Sequence, residues 1–263
     1  MLEAERHRVI AKLVGERSVI GVTELVEILG ASEATIRRDI NSLAERGLVR
    51  RIRGGVESLR PRHEAHLAGM PFVLSQSFAV GAKRAIARAA AALINDGDSI
   101  IIAGGTTTSA LVEFLLDREL DILTNSIPVF TQLYSSSRNR LMLPGGTAYR
   151  EQNIVLSPYQ TDTIENFAAQ KLFTGCYGLS RAGMMETDPL IVHAQGKLLR
   201  RADQLIVMAD SRKLRQKSSM IVAPLERVAT VITDDGASEA ELEPIRTAGI
   251  RLIVVERGPD PAA

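Results

Sequence analysis

The stretch that decides the N-terminal fold is SEATIRRDINSLAERG, residues 32–47. Ser32 can accept a hydrogen bond from a first-turn amide, as N-cap residues do, and Gly47 suits the left-handed position just after a helix end. The apolar residues between these caps recur at helical spacing, at Ile36, Ile40 and Leu43. The stretch therefore predicts an amphipathic helix of about four turns with one buried stripe.

The open side of this helix carries Arg37, Arg38 and Asn41. Arginine can make bidentate hydrogen bonds to guanine edges or phosphates, and asparagine can pair with adenine, so these residues could read DNA. An ordinary solvated face is the alternative, and the helix taken alone does not decide between the two.

The neighbouring segments favour the DNA interpretation. Apolar spacing predicts a supporting helix over residues 3–16, then a short apolar segment over 18–22 and a second helix that Thr23 can cap and that ends at Leu29. After Gly47 the chain alternates apolar and basic residues over 48–53 and turns at Gly54 and Gly55, which predicts a β-ribbon. The order helix, turn, helix, ribbon describes a winged helix-turn-helix.

Composition limits the class of protein. The chain has 263 residues with a net charge of +1, so affinity for nucleic acid must come from local clusters such as the arginines after Ser32. Cys176 is the only cysteine, which excludes an intrachain disulfide. No basic, apolar leader opens the sequence and no apolar run approaches the ~20 residues of a membrane span, so we expect a cytoplasmic location and no membrane partner. His63 and His66 lack partners at metal-ligand spacing, and we predict no metal and no cofactor.

The N-terminal segment resembles the winged helix-turn-helix of the DeoR family of bacterial repressors. The resemblance rests on the run Thr35 to Ile40 (TIRRDI), on Leu43 and Gly47, and on Arg51-x-Arg53-Gly54-Gly55. It implies contact of Arg37 and Arg38 with double-stranded operator DNA from the helix, and of Arg51 and Arg53 with phosphates from the wing. This chain departs from the family by Arg53 where His is usual and by Val56 where Ala is common. The predicted DNA-binding residues are Ser32, Thr35, Arg37, Arg38, Asn41, Arg51 and Arg53. We predict that Asp39 is structural and orients a neighbouring arginine, because a carboxylate facing phosphates would be repelled.

A second centre lies in the larger C-terminal part. An alanine-rich helix over residues 81–95 leads to the apolar run 98–103, then to Gly104-Gly105-Thr106-Thr107-Thr108 and a helix over 109–116. Glycines let backbone amides approach a phosphate, hydroxyls donate further hydrogen bonds, and a helix N-terminus attracts an anion. The loop lacks the lysine of a nucleotide P-loop and the spacing of a dinucleotide fingerprint. It could bind phosphate or be an ordinary turn between strand and helix.

The remaining segments alternate between strands and helices, which predicts a mostly parallel α/β sheet. Strands are predicted over 120–123, 140–143, 173–179, 204–209, 228–232 and 250–255; helices over 128–134, 189–201 and 239–247; and a loop over 180–188. Ligands of such sheets gather at the carboxyl ends of the strands, so the loops 104–108, 124–126 and 145–147 should share one rim.

This part resembles the sensor domain of the same family, which is similar to pentose-phosphate isomerases and related sugar-phosphate-binding proteins. The matching positions run in order from Lys83 through Gly105-Thr106-Thr107 and Gly145-Gly146 to Asp210-Ser211-x-Lys213. The resemblance implies a phosphorylated sugar as effector. The predicted effector site comprises Lys83, Gly104, Gly105, Thr106, Thr107, Thr108, Asn125, Ser126, Gly145, Gly146, Asp210 and Lys213. The chain departs from the family at residues 193–196, His-Ala-Gln-Gly, where acidic residues are usual. The segments 156–158 and 187–188 resemble the corresponding segments of the branch of this family that responds to ascorbate-type phosphates.

Three functions are compatible with these segments. The first is a repressor of a carbohydrate catabolic operon, with a DNA-binding domain at 1–57, a linker at 58–72 and a domain for effector binding and oligomerisation at 73–257. We expect a homodimer or homotetramer, because two-fold operators are matched by two-fold proteins. An isomerase using Asp210 and Lys213 is the second, and a scaffold that contacts proteins through the winged helix is the third. The DNA-binding module favours the first, so we predict no catalytic residues and no enzyme activity.

Overall fold

The computed structural model describes residues 3–17, 19–52, 54–59, 71–159 and 162–258. Its internal contacts divide the chain into an N-terminal unit, Met1–His66, and a C-terminal unit, Leu67–Ala263. Most of the predicted linker, including both histidines at 63 and 66, lies outside the described residues.

The N-terminal unit combines three helices with a small antiparallel sheet. Its elements are α1 (Glu3–Arg17), β1 (Val19–Gly21), α2 (Val22–Leu29), α3 (Glu33–Glu45), β2 (Val49–Ile52) and β3 (Gly55–Ser58). The sheet order is β1-β3-β2, so the ribbon of β2 and β3 gains a third strand from the segment before α2. This is a winged helix-turn-helix.

The core of this unit is the stripe that the sequence predicts on α3. Ile36, Ile40 and Leu43 are at most 2% exposed and pack with apolar residues of the other helices and of the sheet. Ser32 caps α3 by accepting from the Thr35 amide, and Gly47 has a positive φ of 64°, as expected. Thr23 is not the cap of α2, because the helix starts one residue earlier and Gly21 holds the N-cap position without a side-chain bond.

The C-terminal unit is built on a parallel sheet of seven strands. These strands are β4 (Ser99–Ile102), β5 (Asp121–Thr124), β6 (Arg140–Met142), β9 (Ala169–Thr174), β12 (Ala202–Met208), β14 (Val228–Asp234) and β15 (Arg251–Val255). Their order in the sheet is β15-β14-β12-β9-β4-β5-β6. The helices of this unit are α4 (Phe72–Ser75), α5 (Val80–Ala91), α6 (Thr106–Ser109), α7 (Ile127–Ser136), α8 (Pro189–Leu199) and α9 (Glu239–Thr247). Of these, α5, α7, α8 and α9 pack against the strands of the sheet.

Both faces of this sheet are buried, as parallel sheets require. Ile100 and Ile102 point into one apolar cluster with Ile86 of α5. Ile101 lies between them in sequence and points into the opposite cluster, where Leu198 of α8 packs. The loops that follow the carboxyl ends of the central strands therefore start from strands that are buried in the core.

Two smaller sheets were not predicted. One is the antiparallel sheet of β10 (Gly178–Ser180), β11 (Gly183–Glu186) and β13 (Met220–Ala223), and the other pairs β7 (Thr147–Tyr149) with β8 (Ile154–Leu156). The single strand predicted over 173–179 is wrong, because residues 175–177 lie between β9 and β10 and belong to neither strand. The loop predicted over 180–188 is also wrong, since it contains β11. In place of one α-helix over 109–116, α6 is followed by a 3₁₀ helix over Ala110–Phe114.

Candidate functional site

The exposed surface of α3 holds the predicted DNA contacts. Arg37, Arg38 and Asn41 are exposed, whereas Ser32 and Thr35 lie at the start of the helix with their hydroxyls 2.8 Å apart. The Arg37 guanidinium donates to Glu33 Oε1 over 2.8 and 2.6 Å. Because this ion pair lies on the helix surface, it costs little to exchange Glu33 for a phosphate.

A shallow groove joins α3 to the wing. It is lined by Arg37, Asn41 and Arg51 among others, and Arg51 Nη1 donates to Asn41 Oδ1 over 3.2 Å. The asparagine oxygen is therefore occupied, while its amide nitrogen can still donate to an acceptor on a base or phosphate. Arg53, the remaining predicted wing contact, lies outside the described residues.

Asp39 faces the interior of the N-terminal unit, although it stands next to the two arginines of α3. It is 4% exposed, accepts from Arg6 Nε at 2.8 Å and lies 3.0 Å from His7 Nε2. Burial alone would raise the pKa of this carboxyl, but the hydrogen bonds from Arg6 and His7 outweigh it and hold the pKa below its ordinary value. The expected structural role agrees with this geometry. The partner, however, is an arginine of α1, which nothing in the local sequence indicated.

Hydrogen bonds and close packing fix the conformation of the glycine and threonine loop after β4. The Gly104 amide donates to Asn125 Oδ1 over 2.9 Å, and the Thr108 hydroxyl donates to the Gly105 carbonyl over 2.9 Å. A Cβ on Gly104 would lie 2.1 Å from a methyl of Ile154, so only glycine fits there. Asn125 and Thr108 thus shape the loop from behind.

One polar cavity opens beside this loop. Among the predicted effector residues, those that line it are Lys83, Gly104, Gly105, Thr106, Thr107 and Lys213. Lys83 is 4% exposed and its Nζ donates to the Ser75 carbonyl over 2.5 Å, while Lys213 Nζ lies 3.3 Å from Gln216 Oε1. Two cations and a glycine-rich turn therefore line the same cavity, an arrangement suited to a small anion.

Other predicted residues lie elsewhere. Ser126 is fully buried and caps α7 through the Val129 amide. Gly145 and Gly146 are exposed and do not line the cavity. The expectation that loop 145–147 lines the same site is not met: Gly146 has a φ of 154°, and a Cβ there would lie 2.2 Å from the Leu156 carbonyl oxygen. This glycine serves the close approach of β7 and β8.

Asp210, the base considered for catalysis, does not line the cavity either. It is 1% exposed and accepts from the Arg212 side chain at 2.7 and 3.1 Å. Burial favours the neutral acid, yet Arg212 and the nearby lysines outweigh it and keep the pKa of Asp210 below its ordinary value. A carboxylate so paired is a weak proton acceptor, so the geometry favours a role in fixing the turn that carries Lys213.

Several cavity residues had no signal in the sequence. Phe72, Ser75 and Phe78 come from α4 and the turn after it, and Phe78 lies 6.0 Å below the Arg212 guanidinium. Glu186 and Gln195 come from β11 and α8. Of these residues, the sequence singles out only Gln195, which departs from the acidic pattern of the family. Burial raises the pKa of Glu186 to about 7, against the lowering effect of Gln195 and Lys213.

The architecture defines a transcription regulator: an arginine-bearing winged helix-turn-helix, followed by a parallel α/β unit with a polar cavity. The helix-turn-helix domain described as DeoR-like matches residues 6–62, and the DeoR C-terminal sensor domain matches residues 79–235. The chain belongs to the DeoR family, and it is a DNA-binding regulator, not an enzyme.

Individual relatives agree with that assignment. The chain is 31% identical to the HTH-type transcriptional regulator UlaR of Shigella dysenteriae, over 97% of this chain and 100% of the relative. It is 30% identical to the regulator of the same name from Salmonella newport over the same shares. Among solved structures, ribose 5-phosphate isomerase A from Methanocaldococcus jannaschii aligns with a TM-score of 0.38 and 13% identity, covering 50% of this chain and 52% of that one. No helix in the described ranges is long and apolar enough to cross a membrane.

Proposed function

We propose that this regulator represses a carbohydrate catabolic operon and that a phosphorylated sugar controls its binding to operator DNA. The observation that supports the effector is the convergence of Lys83, Lys213 and the loop 104–107 on one cavity. A phosphate there would meet two ammonium groups, threonine hydroxyls and backbone amides. The rest of the cavity is lined by polar and apolar side chains, which suits a sugar better than a second phosphate.

The DNA side of the proposal rests on the exposed face of α3. Arg37 and Arg38 would enter the major groove, with Arg51 holding a phosphate from the wing. A dimer or tetramer would present two such helices to a two-fold operator. The effector and the DNA then change each other's affinity by the same factor, on the order of 5- to 150-fold in typical cases.

We infer that α4 takes part in this linkage. It directly follows the segment that joins the two units in sequence, and it also contributes to the cavity wall. Ser75 at its end accepts from Lys83 Nζ and lies 3.4 Å from the Thr106 hydroxyl. A phosphate bound to Lys83 and Thr106 would compete with Ser75 for these two side chains, and so weaken the contacts between α4 and the cavity wall.

The test measures both activities on the purified full chain. Sugar phosphates, an ascorbate phosphate among them, are screened for a rise in melting temperature, and the best is tested for its effect on binding to promoter DNA. Arg38→Ala should weaken DNA binding and keep the thermal shift, whereas Thr107→Val should keep DNA binding and lose the shift. Arg246→Ala, which removes an exposed arginine from α9, is the matched control and should change neither.

The proposal is wrong if no sugar phosphate raises the melting temperature, or if the phosphate that does so leaves DNA binding unchanged. Hydrogen exchange reports on α4 in the same samples. Amides of residues 72–79 should change their exchange rates when the effector binds, and unchanged rates there would exclude α4 from the linkage.

A further inference from the structure

Glu186 and Gln195 form a buried polar pair in the wall of the cavity. Glu186 ends β11 and is 9% exposed, and Gln195 lies on α8 and is 6% exposed. Gln195 Nε2 donates to Glu186 Oε1 over 3.2 Å. The two side chains come from elements separated by a turn, and their contact joins the small antiparallel sheet to α8.

The pair has unused hydrogen-bonding capacity. Within the part of the chain that the structure describes, Gln195 Oε1 is one of four buried side-chain polar atoms that have no hydrogen-bond partner. When Glu186 is ionised its carboxylate can only accept, so it faces the NH₂ group of Gln195 and leaves the amide oxygen as the atom without a partner. A buried acceptor without a donor is unfavourable, and it is rare enough in folded proteins to need an explanation.

The neighbouring groups narrow the chemistry of the missing donor. Lys213 and Lys83 lie in the same cavity, but Lys83 is directed to Ser75 and Lys213 to Gln216 and the Tyr177 ring. A second phosphate at the pair would face the Glu186 carboxylate, which repels an anion when ionised and at best donates one proton when neutral. A neutral hydroxyl fits better, since it can donate to Gln195 Oε1 and accept or donate at Glu186 as its protonation allows.

We propose that Glu186 and Gln195 recognise a hydroxyl group of the effector and thereby determine which phosphorylated molecule this regulator accepts. The inference rests on the proposed function, because it takes the anion-binding wall of the same cavity as the site of the phosphate. The ligand class is a polyhydroxylated phosphate ester, in which the phosphate supplies general affinity and a hydroxyl at this pair supplies selectivity. A site built to bond a hydroxyl discriminates strongly against a ligand that lacks it, since its polar groups are then left unpaired.

The experiment compares ligands that share the phosphate and differ in their hydroxyls. Inorganic phosphate, the phosphates of ribose, glucose and sorbitol, and an ascorbate phosphate are titrated calorimetrically into the full chain. The variant is Gln195→Met, which keeps the length and helix propensity of the side chain but removes the amide. Gln132→Met, an exposed substitution on α7, is the matched control.

Gln195→Met should weaken the best sugar or polyol phosphate about tenfold or more and leave the affinity for inorganic phosphate unchanged. Glu186→Gln, which cannot ionise, is a second variant that preserves the shape of the pair. It should also lower the ratio of the affinity for the sugar or polyol phosphate to the affinity for inorganic phosphate. The inference is overturned if that ratio is unchanged in both variants. If the unmodified chain binds none of these phosphates, the proposed function itself fails; phosphate binding with an unchanged ratio refutes only the role of this pair.

Discussion

Removal of the Asp39 carboxylate should destabilise the DNA-binding unit while its arginines remain in place. The side chain is buried and accepts hydrogen bonds from Arg6 and His7. Hydrogen bonds that involve a charged group contribute about 1.5–3 kcal/mol each, and donors left without a partner add to the loss. Arg6 is 15% exposed and can partly return to water, so we expect Asp39→Ala to cost about 3 kcal/mol.

Hydrogen exchange followed by mass spectrometry measures this loss locally. Since 1.4 kcal/mol is a factor of ten, the protected amides of α3 should exchange roughly a hundredfold faster in Asp39→Ala. The amides of α5 in the other unit should keep their rates. Glu45→Ala removes an exposed carboxylate from the same helix and is the matched control.

The pH dependence provides a second check. The pKa of Asp39 is lower in the folded chain than its ordinary value of 3.8, so its contribution to stability is present above that value and is lost as the pH falls through the folded pKa. The stability difference between Asp39→Ala and the unmodified chain should therefore be full at pH 6 and shrink as the pH falls below 3.8. A change of less than threefold in the α3 exchange rates at neutral pH would refute the structural role of Asp39. Its side chain would then have to be considered as part of the DNA-binding surface.

Three further outcomes test the sensor unit. Gly104→Ala should lower its melting temperature and abolish phosphate binding because the added methyl would overlap a neighbouring side chain, whereas Gly145→Ala, with nothing within 4 Å of the new methyl, should change neither. Lys197→Met should lower the free energy of urea unfolding by about 3 kcal/mol, because it leaves the buried Asp162 carboxylate, now 2.5 Å from Lys197 Nζ, without its cation. The pKa of Glu186 rises from 4.5 to about 7 on folding, so the unfolding free energy should fall between about pH 4.5 and pH 7, by about 3 kcal/mol. Glu186→Gln should flatten that slope, and an unchanged slope would contradict the burial of an ionisable Glu186.

The sequence predicted the N-terminal unit well because its signals are local. The cap at Ser32, the apolar stripe of α3 and the glycine at 47 all act within one helix, and each is found where it was expected. The fold class of the larger unit is likewise confirmed, since buried parallel strands appear as short apolar runs. What the sequence did not reveal was the hairpin of β10 and β11, two short strands of which the second also pairs with β13, more than thirty residues further on.

Residue pattern alone indicated the candidate site only where one loop carries the chemistry, whereas Lys83 and Lys213, which also line the cavity, were implied by the family resemblance. Residues 104–107 are contiguous and rich in glycine and threonine, so their pattern is visible. Glycine alone does not separate a ligand loop from a tight backbone contact, and Gly146 shows the second case. Glu186 and Gln195 become a pair only when β11 packs beside α8 and buries both, which no spacing rule anticipates.

The proposed DNA-binding surface and the polar cavity are built from different elements of the chain, and this determines which substitutions can change the specificity of each. The proposed DNA contacts lie on α3 and on the wing, and the buried side of α3 carries Asp39, which bonds to Arg6 of α1, so a change in this helix can affect stability as well as recognition. The polar cavity draws its wall from several separate elements, and its glycine-rich loop is held by a hydrogen bond to Asn125 and packs closely against Ile154. A substitution at Gln195 can therefore change which hydroxyl is accepted while the phosphate wall and α3 keep their shapes. Effector choice in this fold should be separable from DNA choice at the level of single residues.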